Sequence, residues 1–464
     1  MTSSPIPATP SSANRTAELA VEMTRWPSVT GSDGEAAFSG RLFDLLAATD
    51  YFKAHPDQLL ALDSHGTPAR QNVLALARGK GRRCIVLAGH FDTVSIANYG
   101  TLAPLACDPE PLTQALIREL SEKDCTSLEA SALADLTSGN FLAGRGLLDM
   151  KSGVAAGIAA LERFAGLEEP VGNILLAATP DEENRSRGMR SLRDALPDIA
   201  RRFDLDIIGG INLDATSDDG DGAEGRAIYL GSVGKFSPFA FVVGRPTHAG
   251  YAFNGVSAHL IAAEIMRAVE TNSALCDEAH GEVSPAPVCL EAKDVRHGYE
   301  VTTPAHVWLS FNWLTHRRTP AELLADFQAV VENAMAAALE TQRSNGQRFF
   351  ERQGMSKQLS YQGRVLSCDA LKAMAIERGG PAARERIATL DAALPDGDDP
   401  LAATRSLVAA LVTESGIEGP AVIIGFSTLH YPMVHIDSLG DAGKTLETSL
   451  QKPRAGSSSG TERR

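Results

Sequence analysis

Apolar positions along this chain fall into alternating textures. CIVLAGH (84–90), NILLAATP (173–180) and DIIGGINLD (206–214) are unbroken apolar runs closed by turn or polar residues, the pattern of strands covered on both faces. Between them, SGVAAGIAALERFAG (152–166) reads as a small-residue helix, and SRGMRSLRDALPDI (186–199) predicts a helix that stops near Pro197. Such alternation predicts an α/β fold, a doubly wound domain with a mostly parallel central sheet and helices on both faces. After residue 231 the texture changes. KFSPFAFVVG (235–244) and HVWLSFNWLT (306–315) are aromatic and β-branched, while SAHLIAAEIMRAVET (257–271) and PAELLADFQAVVENAMAAALE (320–340) have helical periodicity. These segments predict a smaller α+β lid inserted over 232–366. DPLAATRSLVAALVTES (399–415), a helix, and PAVIIGF (420–426), a buried strand, return to the first texture. The α/β domain is therefore expected to comprise 15–231 and 367–450, with a partly helical insertion at 95–140, too long for a plain connection. The Ser/Pro/Thr-rich residues 1–14 and the Gly/Ser-rich residues 451–464 are expected to be disordered.

Composition narrows the class of protein. The chain has 464 residues, 44% hydrophobic and 22% charged, enough for two globular units with sizeable cores. Its net charge of -15 argues against nucleic acid as a partner, which calls for clustered Lys and Arg. The six cysteines are scattered without C-x-x-C spacing, which suits a reducing compartment rather than a structural zinc knuckle. MTSSPIPATPSSANRT lacks the basic and apolar regions of a secretory signal, and no apolar run reaches the length of a membrane span. The expectation is a cytoplasmic protein with no membrane partner.

Glycines in GRGLLDMKSG (144–153) suggest a phosphate cradle, but the spacing is wrong. A G-x-x-x-x-G-K-[ST] loop ending at Lys151 needs glycine where Arg145 and Met150 stand, and a dinucleotide loop needs a third glycine where Asp149 stands. The segment presents Asp149 at a strand–helix turn instead. Three other polar groups follow apolar strands, where open α/β sheets place their ligands. In GHFDTV, His90 and Asp92 point to one side of an extended segment, and a metal-bound His usually donates its other ring N–H to such a carboxylate. In TPDEEN, the neighbouring Glu182 and Glu183 diverge and can serve different roles. In INLDAT, Asp214 closes a strand. Each has a bland alternative, a strand end, an acidic helix start or a turn residue. Taken together, His90, Asp149, Glu183 and Asp214 are the side-chain types that hold zinc, cobalt or manganese, and their charge is near balance for two dications and a bridging hydroxide.

In order and spacing, GHFDTV, GRGLLDMKSG, ATPDEEN and NLD resemble the motifs of the co-catalytic zinc metallopeptidases and deacylases, the family of carboxypeptidase G, acetylornithine deacetylase, succinyl-diaminopimelate desuccinylase and peptidase T. The stretches EAKDVRHGYEVTTPAHVWLSFNW and HYPMVH look more narrowly like the RocB-type arginine-utilisation proteins. The resemblance implies two Zn2+ ions, with Co2+ or Mn2+ as substitutes. His90 and Asp214 would hold one, Glu183 and a late histidine the other, and Asp149 would bridge them. His430 and His435 both stand where that late histidine is expected. Glu182 would be the general base, Asp92 would orient His90, and His248 in GRPTHAG would polarise the substrate carbonyl. A homodimer through the lid is implied as well.

The expected reaction is hydrolysis of the amide bond of a small peptide or N-acyl amino acid. Arg245 and Asn312 are candidates for a substrate carboxylate, whereas Arg185 and Arg187 read as solvated helix charges. Histidines 55, 65, 259, 280, 297, 306 and 316 show no ligand-like neighbours in sequence. The competing expectation, from another class, is a metal-poor relic acting as a binding protein.

Overall fold

A computed structural model describes residues 12–215, 228–296, 298, 300–393, 399–427 and 431–451. Their contacts divide them into two units, one made of residues up to 215 with 439–451, the other of 228–438.

The first unit runs α1 (Ser12–Thr24), α2 (Asp33–Ala47), α3 (Asp50–Ala54), β1 (Leu59–Asp63), β2 (Gln71–Arg78), β3 (Lys80–His90), α4 (Pro109–Ser121), α5 (Ser127–Thr137), α6 (Ser152–Ala165), β4 (Val171–Thr179), α7 (Arg187–Arg202) and β5 (Asp206–Asn212). Its five-stranded sheet has the order β1-β2-β4-β3-β5. β3 lies parallel to β4 and β5, whereas β2 is antiparallel to β4 and to β1. The sheet is thus mixed, with its parallel strands grouped in β4-β3-β5. The apolar runs follow from two-sided burial. Val73, Ala75 and Ala77 of β2 join Leu176 and Ala178 of β4 in a core with α1, α2 and α6, while Leu74, Leu76, Leu175 and Ala177 point the other way toward α7. α7 passes through Pro197 to Arg202 instead of stopping there. Proline removes one backbone donor, but Ile199 beyond it is buried against the same core as Leu192, and that packing carries the helix on. α1 starts at Ser12, so residues 12–14 are helical where disorder is expected; polar residues favoured at helix starts read as loop from composition.

The second unit contains β6 (Gly231–Ser232), β7 (Gly234–Phe236), β8 (Pro238–Val243), α8 (Ala258–Val269), β9 (Glu278–Ala279), β10 (Glu282–Val283), β11 (Val288–Asp294), β12 (His306–Thr315), α9 (Pro320–Arg352), β13 (Arg364–Ser367), α10 (Cys368–Ala393), α11 (Pro400–Ser415), β14 (Ala421–Phe426) and β15 (Val434–His435). Its main sheet has the order β11-β12-β8-β14-β13, with β7 also paired to β12. Ala240, Val242, Val422 and Ile424 face α8 and α9; Phe239, Phe241, Ala421 and Ile423 face α10 and α11. The boundary therefore differs from the expected return to the first domain at 367. β14 pairs antiparallel with β8, in the sheet of the inserted segment, and only α12 (Gly440–Gln451) rejoins the first unit. An apolar run announces a doubly covered strand but not the sheet it enters, and both sheets here are covered on two faces.

All six cysteines are free. Among the described residues, no helix is long and apolar enough to cross a membrane.

Candidate metal centre

The parallel strands of the first unit end in register. His90, last in β3, pairs with Thr179, last in β4, and Ala88 pairs with Asn212, last in β5. The loops that follow leave from one edge of the sheet, and backbone bonds from Phe91 to Thr179 (3.0 Å) and from Leu213 to Ala88 (2.8 Å) extend the pairing past the strand ends. Asp149 reaches the same edge from the turn before α6. Two glycines of GRGLLDMKSG explain themselves here. Gly146 has φ 78, and a Cβ there would meet the Thr93 methyl at 2.5 Å; a Cβ on Gly153 would meet the Leu213 carbonyl oxygen at 2.1 Å. These glycines allow close packing of turn and helix rather than a phosphate approach.

His90 forms the floor of the group, its side chain 2% exposed, while Asp149, Glu182 and Asp214 at the rim are 60%, 47% and 32% exposed. Its Nδ1 lies 3.0 Å from the Asp92 carbonyl oxygen and 3.5 Å from Asp92 Oδ1, which turns Nε2 toward the rim. Nε2 is 3.0 Å from Asp149 Oδ1, 3.8 Å from Glu182 Oε2 and 3.9 Å from Asp214 Oδ2. His90, Asp149 and Glu183 each offer a ligand atom within 4.8 Å of the others. Ligands on bonds of about 2.0–2.2 Å to a shared cation sit roughly 3–4 Å apart, so these spacings fit a divalent ion, and the mixture of one imidazole with carboxylates fits zinc, cobalt or manganese.

Electrostatics tell the same story. Burial alone would lower the His90 pKa, but Asp92, Glu182 and Asp214 outweigh it and raise it to about 9. Burial pushes the Glu182 carboxyl above its ordinary range, with Asp214, Asp92 and Asp149 adding to the push against the pull of His90. Burial likewise raises Glu183, aided by Asp149. Crowded carboxylates around one imidazole call for positive charge, which a bound dication would supply.

Asp92 does more than face His90. Its Oδ1 accepts the Glu182 amide at 3.0 Å, and its Oδ2 accepts the Glu183 amide at 3.2 Å and the Thr30 hydroxyl at 2.9 Å. Burial opposes its charge, yet the His90 ring, the Glu182 amide and Thr30 hold its pKa low. One carboxylate thus fixes the backbone of both glutamates. Beneath that turn lies a network with no signature in the sequence. Buried Arg70 places Nη1 at 2.9 Å from Asp181 Oδ1 and 3.1 Å from Glu35 Oε2. Asp181 takes a left-handed φ of 65, and its Oδ2 accepts the Arg187 amide at 3.2 Å. Arg185 and Arg187 are both 8% exposed, which corrects their reading as solvated charges; the Arg187 guanidinium donates to the Thr67 carbonyl at 3.2 Å.

Other expected residues belong to the second unit. His248 is exposed, and its Nδ1 accepts the Gly250 amide at 3.0 Å, leaving the ring proton on Nε2. Arg245 follows β8, whose Val243 pairs with His306, whereas Asn312 stands further along β12, opposite Val288 of β11. Six residues of strand, about 20 Å, separate Asn312 from that end. His435 stacks on His280 with ring centroids 3.6 Å apart and pairs with Asp437, which also corrects the reading of His280 as a residue without ligand-like neighbours. His430 and His297 lie outside the described residues.

Comparison with known proteins agrees with this geometry. The model of "Peptidase family M20/M25/M40" matches residues 126–347. The uncharacterized protein YqjN of Bacillus subtilis is 31% identical over 90% of this chain and 75% of its own length. Protein RocB of the same organism is 30% identical over 69% of this chain and 56% of its own, and a succinyl-diaminopimelate desuccinylase of Parvibaculum lavamentivorans is 32% identical over 50% and 49%. The chain thus spans three quarters of YqjN but only about half of the other two. With the sequence motifs gathered at one sheet edge and kinship running through nine tenths of its length, this chain belongs to the M20/M25/M40 peptidases, metal-dependent hydrolases of amide bonds.

Proposed function

We propose that this chain is a zinc-dependent amidohydrolase that cleaves a small peptide or N-acyl amino acid. In this reading His90, Asp149, Glu183 and Asp214 hold two cations with a late histidine, and Co2+ or Mn2+ substitute for zinc. The observation that carries it is His90 Nε2 within 3.0–3.9 Å of Asp149, Glu182 and Asp214. When bound, the ions supply Lewis acidity and a water acid enough to lose a proton near neutral pH. Glu182 takes that proton, its carboxylate standing at the rim of the group, 3.8 Å from His90 Nε2. As the carbon–nitrogen bond breaks, the same carboxyl returns the proton to the leaving amine. Asp92 keeps His90 turned and the two glutamates in place. His248, with its proton on Nε2, donates a hydrogen bond to the carbonyl oxygen as negative charge gathers there. The proposal includes a homodimer through 232–366 and a cytoplasmic location.

A screen of dipeptides and N-acyl amino acids with zinc or cobalt tests the reading. Hydrolysis by the parent protein is expected. Glu182→Gln should keep its metal and lose turnover by about 10²–10⁴-fold, the scale of general-base catalysis. Turnover near the parent level would remove Glu182 from its role. Metal content near zero after zinc reconstitution, with no hydrolysis, would favour the relic binding protein.

A further inference from the structure

We infer that the second unit holds a separate divalent-cation site made of His280, His435 and Asp437, which clamps the β9–β10 hairpin to the segment carrying β15. Each residue offers one ligand atom, and all three atoms lie within 4.8 Å of one another. His435 Nδ1 is 3.2 Å from Asp437 Oδ2, and His280 Nδ1 is 3.9 Å from the same oxygen; His435 Nδ1 also accepts the Asp437 amide at 3.3 Å, a hydrogen bond that ligation through this atom replaces. Tetrahedral ligands on bonds of about 2.0–2.1 Å lie about 3.3 Å apart, so the first pair already has the spacing of a shared ion. Two imidazoles and one carboxylate suit zinc, cobalt or nickel, and the side chains of His280 and Asp437 are 42% and 65% exposed, leaving room for water in the remaining positions.

The backbone around the group is firmly held on both sides. β15 pairs His435 with Gly231 of β6, and a Cβ on Gly231 would come within 2.1 Å of the Val434 carbonyl oxygen, so the strands approach as only glycine permits. Ile436 donates to the Leu230 carbonyl at 2.7 Å, and the Ser438 hydroxyl to the His435 carbonyl at 2.7 Å. The hairpin is anchored at its base by Asp277, which accepts the Thr315 hydroxyl and the amides of His316 and Arg317. His280 and Gly281 form its tip with φ 56 and 86. A two-residue turn with both φ positive favours Asn-Gly, so histidine at the first place costs conformational energy that asparagine would spare. The His280 ring now stacks on His435, the planes 9° apart. A metal lies in the plane of each imidazole it binds, so coordination requires the exposed His280 ring to turn out of the stack.

The site shares no residue with the His90 group and touches the proposed function only at the choice of its late histidine. It does claim His435, leaving His430 for the late-histidine role in the proposed centre. The test is zinc stoichiometry on the full chain after equilibrium dialysis, with melting temperature followed against added zinc. His280→Asn suits the turn and removes a ligand; Asp437→Asn removes the carboxylate. Each should bind one zinc fewer per chain than the parent and lose the part of the zinc-induced melting shift due to the clamp, while any hydrolysis stays within twofold of the parent. His90→Ala should keep the equivalent that His280→Asn loses, so a failed hydrolase reading leaves this result legible. Parent stoichiometry and an unchanged zinc shift in both His280→Asn and Asp437→Asn would overturn the site.

Discussion

Arg70 shows what single residues do beneath the metal ligands. Its side chain is 1% exposed and faces two buried carboxylates, Glu35 and Asp181, through one nitrogen, Nη1; Nε and Nη2 have no protein partner. Burial pushes the Glu35 carboxyl above its usual range even though the Gly31 amide and Arg70 pull it down, so the cation is already stretched across two anions. Arg70→Met leaves Glu35 without a cationic partner in the interior and Asp181 with only the more distant Arg187 Nε at 3.8 Å, and breaking a buried pair in this way costs about 3–5 kcal/mol. Because one nitrogen makes every contact, Arg70→Lys should recover a substantial part of that loss. Denaturant unfolding of the two variants checks both statements, and equal destabilisation by Met and Lys would contradict them. Exposed pairs such as Lys80–Glu169 contribute little by comparison. His90, Asp92, Asp149, Glu182, Glu183 and Asp214 were all legible in sequence, because each stands in a short motif beside an apolar run. Arg70 was not: it lies in a polar connection, and its partners come from residues far away in the chain.

At the scale of elements, helix α6 sets how closely Asp149 and Asp214 approach. It begins directly after the Asp149 turn, and Gly153 and Gly157 face the segment leading to Asp214. A Cβ on Gly153 would meet the Leu213 carbonyl oxygen at 2.1 Å, and one on Gly157 the Leu176 and Leu213 methyls at 2.7 Å. Propensity alone favours alanine over glycine inside a helix by about 0.5–1 kcal/mol. Overpacking against backbone costs about 1–3 kcal/mol, so Gly153→Ala should be a net destabilisation, readable as a lower melting temperature and weaker metal retention. A higher melting temperature would mean that α6 does not sit this close to residue 213. Strands β3, β4 and β5 could be read from sequence because burial on both faces leaves long apolar runs. The antiparallel β1 and β2, the continuation of α7 past Pro197 and the membership of β14 in the second sheet could not. Each depends on what packs against the segment, and the local pattern holds no record of that partner.

For the whole molecule, the useful fact is that each unit carries its own sheet with helices on both faces. The first unit is discontinuous, since α12 returns to it after the second unit is complete, and Leu446 of that helix approaches Gly209 of β5. The second unit is one continuous stretch, 228–438. Its two core layers are made from its own residues: Trp313, Phe327 and Val331 on one face, Phe241, Trp308 and Leu411 on the other, all fully buried. Its edge strands β11 and β13 come from the same stretch. A segment that completes both layers of a sheet meets the physical requirement for folding without the rest of the chain. Residues 228–438 produced alone should therefore melt in one cooperative transition with protected amides in β8, β12 and β14. Residues 1–215 without α12 should be less stable than the same residues supplied with 439–451. Calorimetry and hydrogen exchange distinguish the cases. A fragment 228–438 with helical signal but no cooperative transition would show that its core needs the first unit, and that the division into two folding units is only geometric.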